Sequence, residues 1–509
     1  MEWRLARAGL RPGAGRCIFR VMQWATPQER RKLGQARRKQ VGRLQHDELK
    51  PKARQTPAQE LLVRSMQWRV PALVQLKYKL MAESPFGYFR GAVPVMVADL
   101  GLLPSTGIMC QLCGDAHVRN LGAFAAPDGR LVFDINDFDE TIRGPFEWDL
   151  KRMAASLVVA GRAAGHKEAS ACEAVEKCIE RYAAQMRAFA RMPLIEVGRF
   201  QVHRLGQVTP IHDALLKAER ATPQHTLEQL TENAAEKSEA GFHASRGGLV
   251  SHPFRKDREM DGAREVFQLA ASAEEDGARK SSKSKAREIS GRRFKEQKPT
   301  LTRVTGRQAE AVVAALGTYR QTLEPQRQHL LSFYRPVDVA FKVVGTGSVG
   351  LRDYCVYLEG NGPGDPLFLQ VKEETASGYA HYLPDAQPPH HNGQRVAEGQ
   401  RAMQTRSDPF LGWTHFGGRD YLVRQLNDHK GSIEIEDLAG GGLEAYAEVC
   451  GELLARGHAR SGDPQILTGY IGSGDGFAQA LAKFGSHYAD QTEKDWKELC
   501  RSGKAGKKA

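Results

Sequence analysis

Gly114-Asp115-Ala116-His117-Val118-Arg119-Asn120, followed by Phe133-Asp134-Ile135-Asn136-Asp137-Phe138-Asp139-Glu140, is the stretch that decides how this 509-residue chain is read. Residues 108–113 are apolar, 114–120 form a polar loop, and 131–135 are apolar again. Pro127-Asp128-Gly129 between them is a hairpin turn signal. Asp115 and Asn120 stand five positions apart on the loop. A carboxylate there can orient or accept the proton of an attacking hydroxyl, and an amide oxygen five residues on can reach a metal. Asp137, on the next hairpin strand, is placed to hold a cation that bridges phosphates. The acids 134, 137, 139 and 140 are crowded together and repel one another without a cation. Oxygen ligands of this kind suit Mg²⁺ or Mn²⁺, with Asn120, Asp137 and Asp139 as the expected metal ligands. A solvated acidic turn accounts for Asp139 and Glu140, but it fits Asp137 poorly among Phe133, Ile135 and Phe138. His117 either orients the loop or fills space.

A site of this kind needs a nucleotide lobe, and residues 1–100 offer neither a glycine-rich hairpin nor β texture. Residues 337–372 offer both. Gly345-Thr346-Gly347-Ser348-Val349-Gly350 has the form G-x-G-x-x-G, which by itself also fits a dinucleotide site. The flanks decide: 337–344 and 351–358 both read as strands, so this is strand, glycine loop, strand, a hairpin that can lie over phosphates. Glycines let backbone amides approach phosphate without an intervening Cβ. Gly345, Gly347, Ser348 and Gly350 are therefore the expected phosphate contacts. The next strand, 367–372, ends in Lys372, expected at the α/β-phosphates and counted with Asp115 and His117 as catalytic. The helix at 394–405 offers Glu398 as its partner. The strand 421–425 leads through Gln425 and Leu426 to Asn427, a place for backbone hydrogen bonds to adenine.

Gly-Asp-x-His-x-x-Asn followed by Ile-x-Asp-Phe-Asp resembles the aminoglycoside/choline phosphotransferase branch of the protein-kinase-like superfamily. That branch also carries an Asp-Leu pair opening a helix, which Trp148-Asp149-Leu150 matches; the twelve-residue step from Asp137 to Asp149 favours Asp137 over Asp134 as metal ligand. Cys113 departs from the histidine usual before the Gly-Asp, and the loop from Asn120 to Asp137 is long. From about Thr26 onward the chain resembles the bacterial DUF2252 family. The matching stretches include 84–91, 113–120, 136–141, 148–152, 345–350, 369–372, 393–400 and 488–491. The resemblance implies an α+β, bilobal, protein-kinase-like fold. The large-lobe elements come first here, so the fold is expected to be circularly permuted. Its expected activity is ATP- and Mg-dependent phosphoryl transfer to a hydroxyl acceptor. Metal-dependent phosphohydrolysis, AMP transfer and non-catalytic nucleotide binding are the alternatives.

The expected organisation is a basic arm at 1–60, a catalytic region at 61–224, a charged insert at 225–305, a β-rich nucleotide region at 306–430 and closing helices at 431–509. One helix is expected at 306–331, one apolar element at 88–100, and separate helices at 477–484 and 488–499. The net charge of +13 sits in the ends: residues 1–60 hold fifteen Lys/Arg against five Asp/Glu. A solvated arm is the plain reading, and nucleic-acid contact would run only through it. Residues 1–24 lack the apolar segment of a secretory signal; an organelle presequence and a true start at Met22 are both compatible with them. No apolar run approaches the roughly 20 residues of a membrane span. Eight scattered cysteines read as reduced thiols in a cytoplasm, and the single pair Cys110-x-x-Cys113 reads as core packing.

Overall fold

The computed structural model describes residues 25–202, 205–233, 291–343, 345–383, 389–426 and 429–504. The helix Pro27–Arg37 is set by Thr26, whose hydroxyl accepts the Glu29 amide while the Glu29 carboxylate takes the Thr26 amide at 2.6 Å. This part of the basic arm is docked rather than solvated, which corrects the expectation for residues 25–60. Gly34 and Gly469 let the helix lie directly against the helix Pro464–Ile471. A Cβ at Gly34 would fall 1.9 Å from the Ile466 carbonyl oxygen, and one at Gly469 would fall 2.1 Å from that of Arg31. The arginines satisfy internal acceptors. Arg38 bonds the carbonyls of Gly469 and Tyr470, Arg43 that of Ile471, and Arg54 pairs with Asp99 and Asp495. The two carbonyl-bonding residues place positive charge at a helix C-terminus, where the dipole favours it. Residues 1–24 of the arm lie outside the described residues.

A helical body follows. The apolar element expected at 88–100 is two helices, Pro85–Gly91 and Val93–Gly101, the second carrying Pro94 in its first turn. β1 (Met109–Leu112) pairs antiparallel with β4 (Ile142–Pro145), and between them β2 (Leu121–Ala125) and β3 (Leu131–Ile135) form the expected hairpin. The helices Glu147–Ala163 and Glu168–Phe189 pack with Gly442–Ser461 and Asp475–Arg501 around Leu157, Ile179, Tyr182, Leu453 and Leu481. The last of these is continuous where two helices were expected, because no residue between 484 and 488 interrupts the helical backbone. Of the charged insert, 234–290 lies outside the described residues. Its flanks are folded: β5 (Thr231–Asn233) pairs with β6 (Arg292–Phe294).

The second half forms a six-stranded antiparallel sheet from β7 (Leu301–Val304), β8 (Arg335–Lys342), β9 (Asp353–Glu359), β10 (Pro366–Glu374), β11 (Gly412–Phe416) and β12 (Arg419–Gln425). Their spatial order is β11-β12-β10-β9-β8-β7. Alternate residues of β9 serve two cores. Val356 and Leu358 pack with Val312 and Tyr319, while Cys355 and Tyr357 pack with Leu227 and Phe294. The helix expected at 306–331 is broken into Gly306–Gln321 and Pro325–Leu331, since Pro325 cannot continue the ladder. The helix Asn392–Met403 lies beside β10, β11 and β12. The chain then returns to the helical body, where β13 (Gly431–Ser432) adds to β2. Among the described residues no helix is long and apolar enough to cross a membrane.

At an open helical position, alanine for glycine stabilises by about 1 kcal/mol. Gly34→Ala is expected instead to lose about 2–3 kcal/mol, from overpacking against backbone, in urea unfolding. Equal or greater stability would show that the first helix is not docked.

Candidate functional site

The loop 114–120 is held from beneath. Asp149, buried in the first turn of Glu147–Ala163, accepts the Cys113 amide at 2.9 Å and the Gly114 amide at 3.0 Å. Gly114 has φ +85°, and a Cβ there would meet the Glu140 carbonyl oxygen at 2.3 Å, so only glycine fits. Behind Asp149, His458 Nε2 lies 3.2 Å from its Oδ2 and the Tyr182 hydroxyl lies 2.9 Å from His458 Nδ1. A carboxylate accepts, so Nε2 carries the proton and the tyrosine donates to Nδ1. Tyr446, on the same closing helix as His458, donates to the Val118 carbonyl at 2.6 Å.

Asp115 projects from this loop. Arg152 lies one turn beyond Asp149 on the same helix face and is fully buried, 2.5 Å from Asp115 Oδ1. His117 Nδ1 accepts the Arg119 amide at 3.1 Å, which leaves a protonated Nε2 facing Asp115 Oδ2 at 3.7 Å. Burial, with Arg90 and Arg152 nearby, holds this imidazole well below its usual pKa, so the ring is neutral. Asn120 donates through Nδ2 to the Asp115 carbonyl at 2.8 Å. That contact fixes the amide so that Oδ1 is the end open to a cation.

The turn after β3 supplies the acids. Phe138 is buried as an anchor, with Asp137 and Asp139 on either side of it. Lys372, on β10, reaches both oxygens of Asp139 at 2.5 Å, and Ser348 donates to Asp139 at 2.9 Å. Burial raises the Asp139 pKa, but the charge and hydrogen bond of Lys372 outweigh it and leave the group below its ordinary value. Asp137 has no such partner. Burial, and then Asp139, push it up to about 6. Of the other acids in the run, Asp134 pairs with Arg456, and Glu140 accepts the Gly378 amide at 2.7 Å.

These groups wall a cavity of about 260 Å³ between sheet and helical body. Asp115, His117, Asn120, Asp137 and Arg90 line it from the body; Lys342, Gln370, Lys372 and Arg424 line it from the sheet. Gly345, Gly347 and Ser348 join the wall from the loop between β8 and β9, which is the expected strand–loop–strand hairpin. That loop is fastened down. Buried Lys77 donates to the carbonyls of Thr346 and Gly347, and Arg69 donates to that of Val349. Arg90, Lys342 and Lys430 pair with no carboxylate among the described residues, and the Arg90 Nε is buried without a hydrogen-bond partner. Among the described residues the Arg424 side chain bonds the Gln370 side chain and the Asn136 carbonyl.

Three expected placements are corrected. Glu398 does not meet Lys372. The helix Asn392–Met403 turns Val396 and Ala397 into the core, so Glu398 is exposed and bonds Gln394, on a separate groove. Gly350 is off the cavity wall; with φ +93° it turns the chain against Arg69. Gln425 lies off this cavity wall while Leu426 lines it, and both backbone amides are committed, to Asp408 at 2.6 Å and to Phe368 at 2.9 Å. Asn427 lies outside the described residues. The sequence reading did not single out Arg90, Arg152 or Lys77. Arg152 had a signal, since its three-residue step from Asp149 puts both on one helix face. Arg90 lies within the family-matching stretch 84–91, whereas Lys77 carries no signal of its own. Cys110 and Cys113 are buried thiols with raised pKa values and no disulfide, consistent with core packing.

The elevated Asp137 sets a pH dependence. An unfolded aspartate ionises near about 3.9, so between there and about 6 the native state holds a proton that the unfolded chain has lost. Stability from this group therefore falls as pH rises through that window. In metal-free protein Asp137→Asn is expected to gain on the order of 2 kcal/mol at about pH 8 and little at about pH 4, measured by urea unfolding. A loss at the higher pH would count against the placement.

A family model described as "Uncharacterized protein conserved in bacteria (DUF2252)" matches residues 69–253 and 249–502. No curated protein and no solved structure matches the chain. The matched segments cover the greater part of the sequence and carry the cavity wall from Arg69 to Lys430, and on that extent the chain belongs to the DUF2252 family.

Proposed function

We propose that this chain is an ATP- and Mg²⁺-dependent phosphotransferase of protein-kinase-like type, circularly permuted, acting on a hydroxyl acceptor. The observation that carries the reading is one cavity. It joins a glycine hairpin, a lysine on the third strand counted from that hairpin, and a loop bearing Asp115, Asn120 and Asp137. Kinases place their parts in this way. The unpaired cations on the wall call for an anion, and Asp137, which has an elevated pKa and no ion-pair partner among the described residues, suits a divalent ion. Bound Mg²⁺ would spread the charge of the transferred phosphoryl group and hold it in line.

The chain's own residues account for the rest. Asn120 Oδ1 and Asp137 face the cavity as oxygen ligands. Lys372, released from Asp139, would meet phosphate oxygens. Asp115 orients the acceptor hydroxyl. Arg152 fixes that carboxylate in place through a charged hydrogen bond, and the carboxylate accepts the proton as the hydroxyl oxygen loses it. A bond forms from the acceptor oxygen to the γ-phosphorus, the bridging bond breaks, and ADP leaves with the electron pair. The phosphohydrolase alternative is less well served, because the one histidine on the wall is tied at Nδ1 and faces Asp115 at Nε2.

Thermal-shift titration with Mg²⁺-ATP should raise the melting temperature of the wild type. Asp137→Asn and Lys372→Met should each weaken that binding by about tenfold or more. Single-turnover assays with γ-labelled ATP should then show label leaving ATP in the wild type only. A wild-type protein indifferent to Mg²⁺-ATP would remove the reading.

A further inference from the structure

A nucleobase is ordinarily held by apolar walls and a few backbone hydrogen bonds. In the kinase-like reading on which this inference rests, the base would lie toward Leu426, at the end of β12. That end of the cavity has a different character. Lys342 closes β8, Arg424 stands on β12 and Lys430 follows it, all on the cavity wall. Gln370 lies among them, bonded to Arg424 at 2.9 Å and to Asp353 at 2.6 Å. The aliphatic side chains on the cavity wall are few, Val93, Pro94, Leu351 and Leu426, and the Gln425 and Leu426 amides are already used within the protein.

Like charges held together without a counter-ion repel. Arg424, burial and Lys342 together push the Lys430 ammonium down to about 7. Among the described residues no carboxylate forms an ion pair with Lys342 or Lys430; Asp353 acts on the first and Asp408 and Asp137 on the second only from beyond contact, so the cluster favours an anion from outside. Phosphate oxygens match that need, as point-charge partners for lysine and as a bidentate acceptor for arginine.

We propose that the end of the cavity bounded by Lys342, Arg424 and Lys430 is a phosphate subsite rather than a nucleobase subsite. The phosphoryl donor is then a linear polyphosphate chain of three or more groups, recognised by its charge along the whole cavity. A nucleoside triphosphate can enter as one such chain, with its base outside the cationic end. In transfer from inorganic polyphosphate, the acceptor oxygen bonds the terminal phosphorus and the bridging P–O bond breaks. The chain, shorter by one phosphoryl group, leaves with the electron pair, and the hydroxyl proton passes to Asp115 or water.

The test is calorimetric titration of the full-length protein, in Mg²⁺, with tripolyphosphate, ATP, GTP and adenosine. Tripolyphosphate should bind at least as tightly as ATP, ATP and GTP should bind within about threefold of each other, and adenosine should not bind. Lys342→Gln/Lys430→Gln should lose about tenfold or more in tripolyphosphate affinity, and the wild-type affinity should fall steeply with salt. ATP binding with strong discrimination against GTP, and no tripolyphosphate binding, overturns this inference and leaves the kinase-like reading standing. Absence of binding by every phosphate compound overturns both.

Discussion

The contact between Lys372 and Asp139 holds the site together. It joins a strand from the second half of the chain to a turn from the first, more than two hundred residues away, across the seam between sheet and helical body. Each partner is costly to bury alone, and each has its charge stabilised by the other. The pair therefore fixes the seam's register. With Asp139 spoken for, Asp137 has no ion-pair partner among the described residues, and the two aspartates take opposite characters: Lys372 holds the Asp139 pKa down, while burial and the Asp139 charge raise that of Asp137.

The support beneath this contact is layered in the same way. Asp149 holds the backbone of the loop, His458 and Tyr182 hold Asp149, and Arg152 holds the carboxylate that the loop presents. Every member of the relay is buried and has a partner, which keeps a polar network rigid in a low-dielectric interior. The glycine hairpin is constrained from the opposite side by Lys77 and Arg69. The cavity is thus bounded by fixed pieces from four separated stretches of sequence.

Much of this is legible in the amino-acid sequence. Runs rich in Val, Leu, Tyr and Phe mark β8, β9, β10 and β12. The hairpin of β2 and β3 followed from Pro127-Asp128-Gly129, and the spacing of Asp115, Asn120 and Asp137 placed them together. Partnerships were harder to read. Glu398 seemed well placed for Lys372 because it lies on the next helix, but rotation of that helix is set by Val396 and Ala397 entering the core. Asp139 reads as a metal ligand or a solvated turn residue, not as the partner of Lys372, because a turn does not reveal which distant strand passes over it. The N-terminal arginines read as a solvated run because sequence shows charge but not the carbonyls of residues 469–471 that receive it. Long-range pairing of this kind depends on tertiary packing, which local pattern does not encode.

The return of the chain to the helical body has a consequence for synthesis. The loop 114–120 and its hairpin leave the ribosome early, yet Tyr446 and His458, which brace them, follow more than three hundred residues later. Until then Asp149 lacks its imidazole and the hairpin lacks β13, so apolar surface that becomes interior is left uncovered. Chains stalled or cleaved before about residue 440 would carry the acidic loop without the frame that shapes it. Such fragments are the ones most exposed to aggregation and quality control, and competence is acquired only once the helix carrying Tyr446 and His458 has been made.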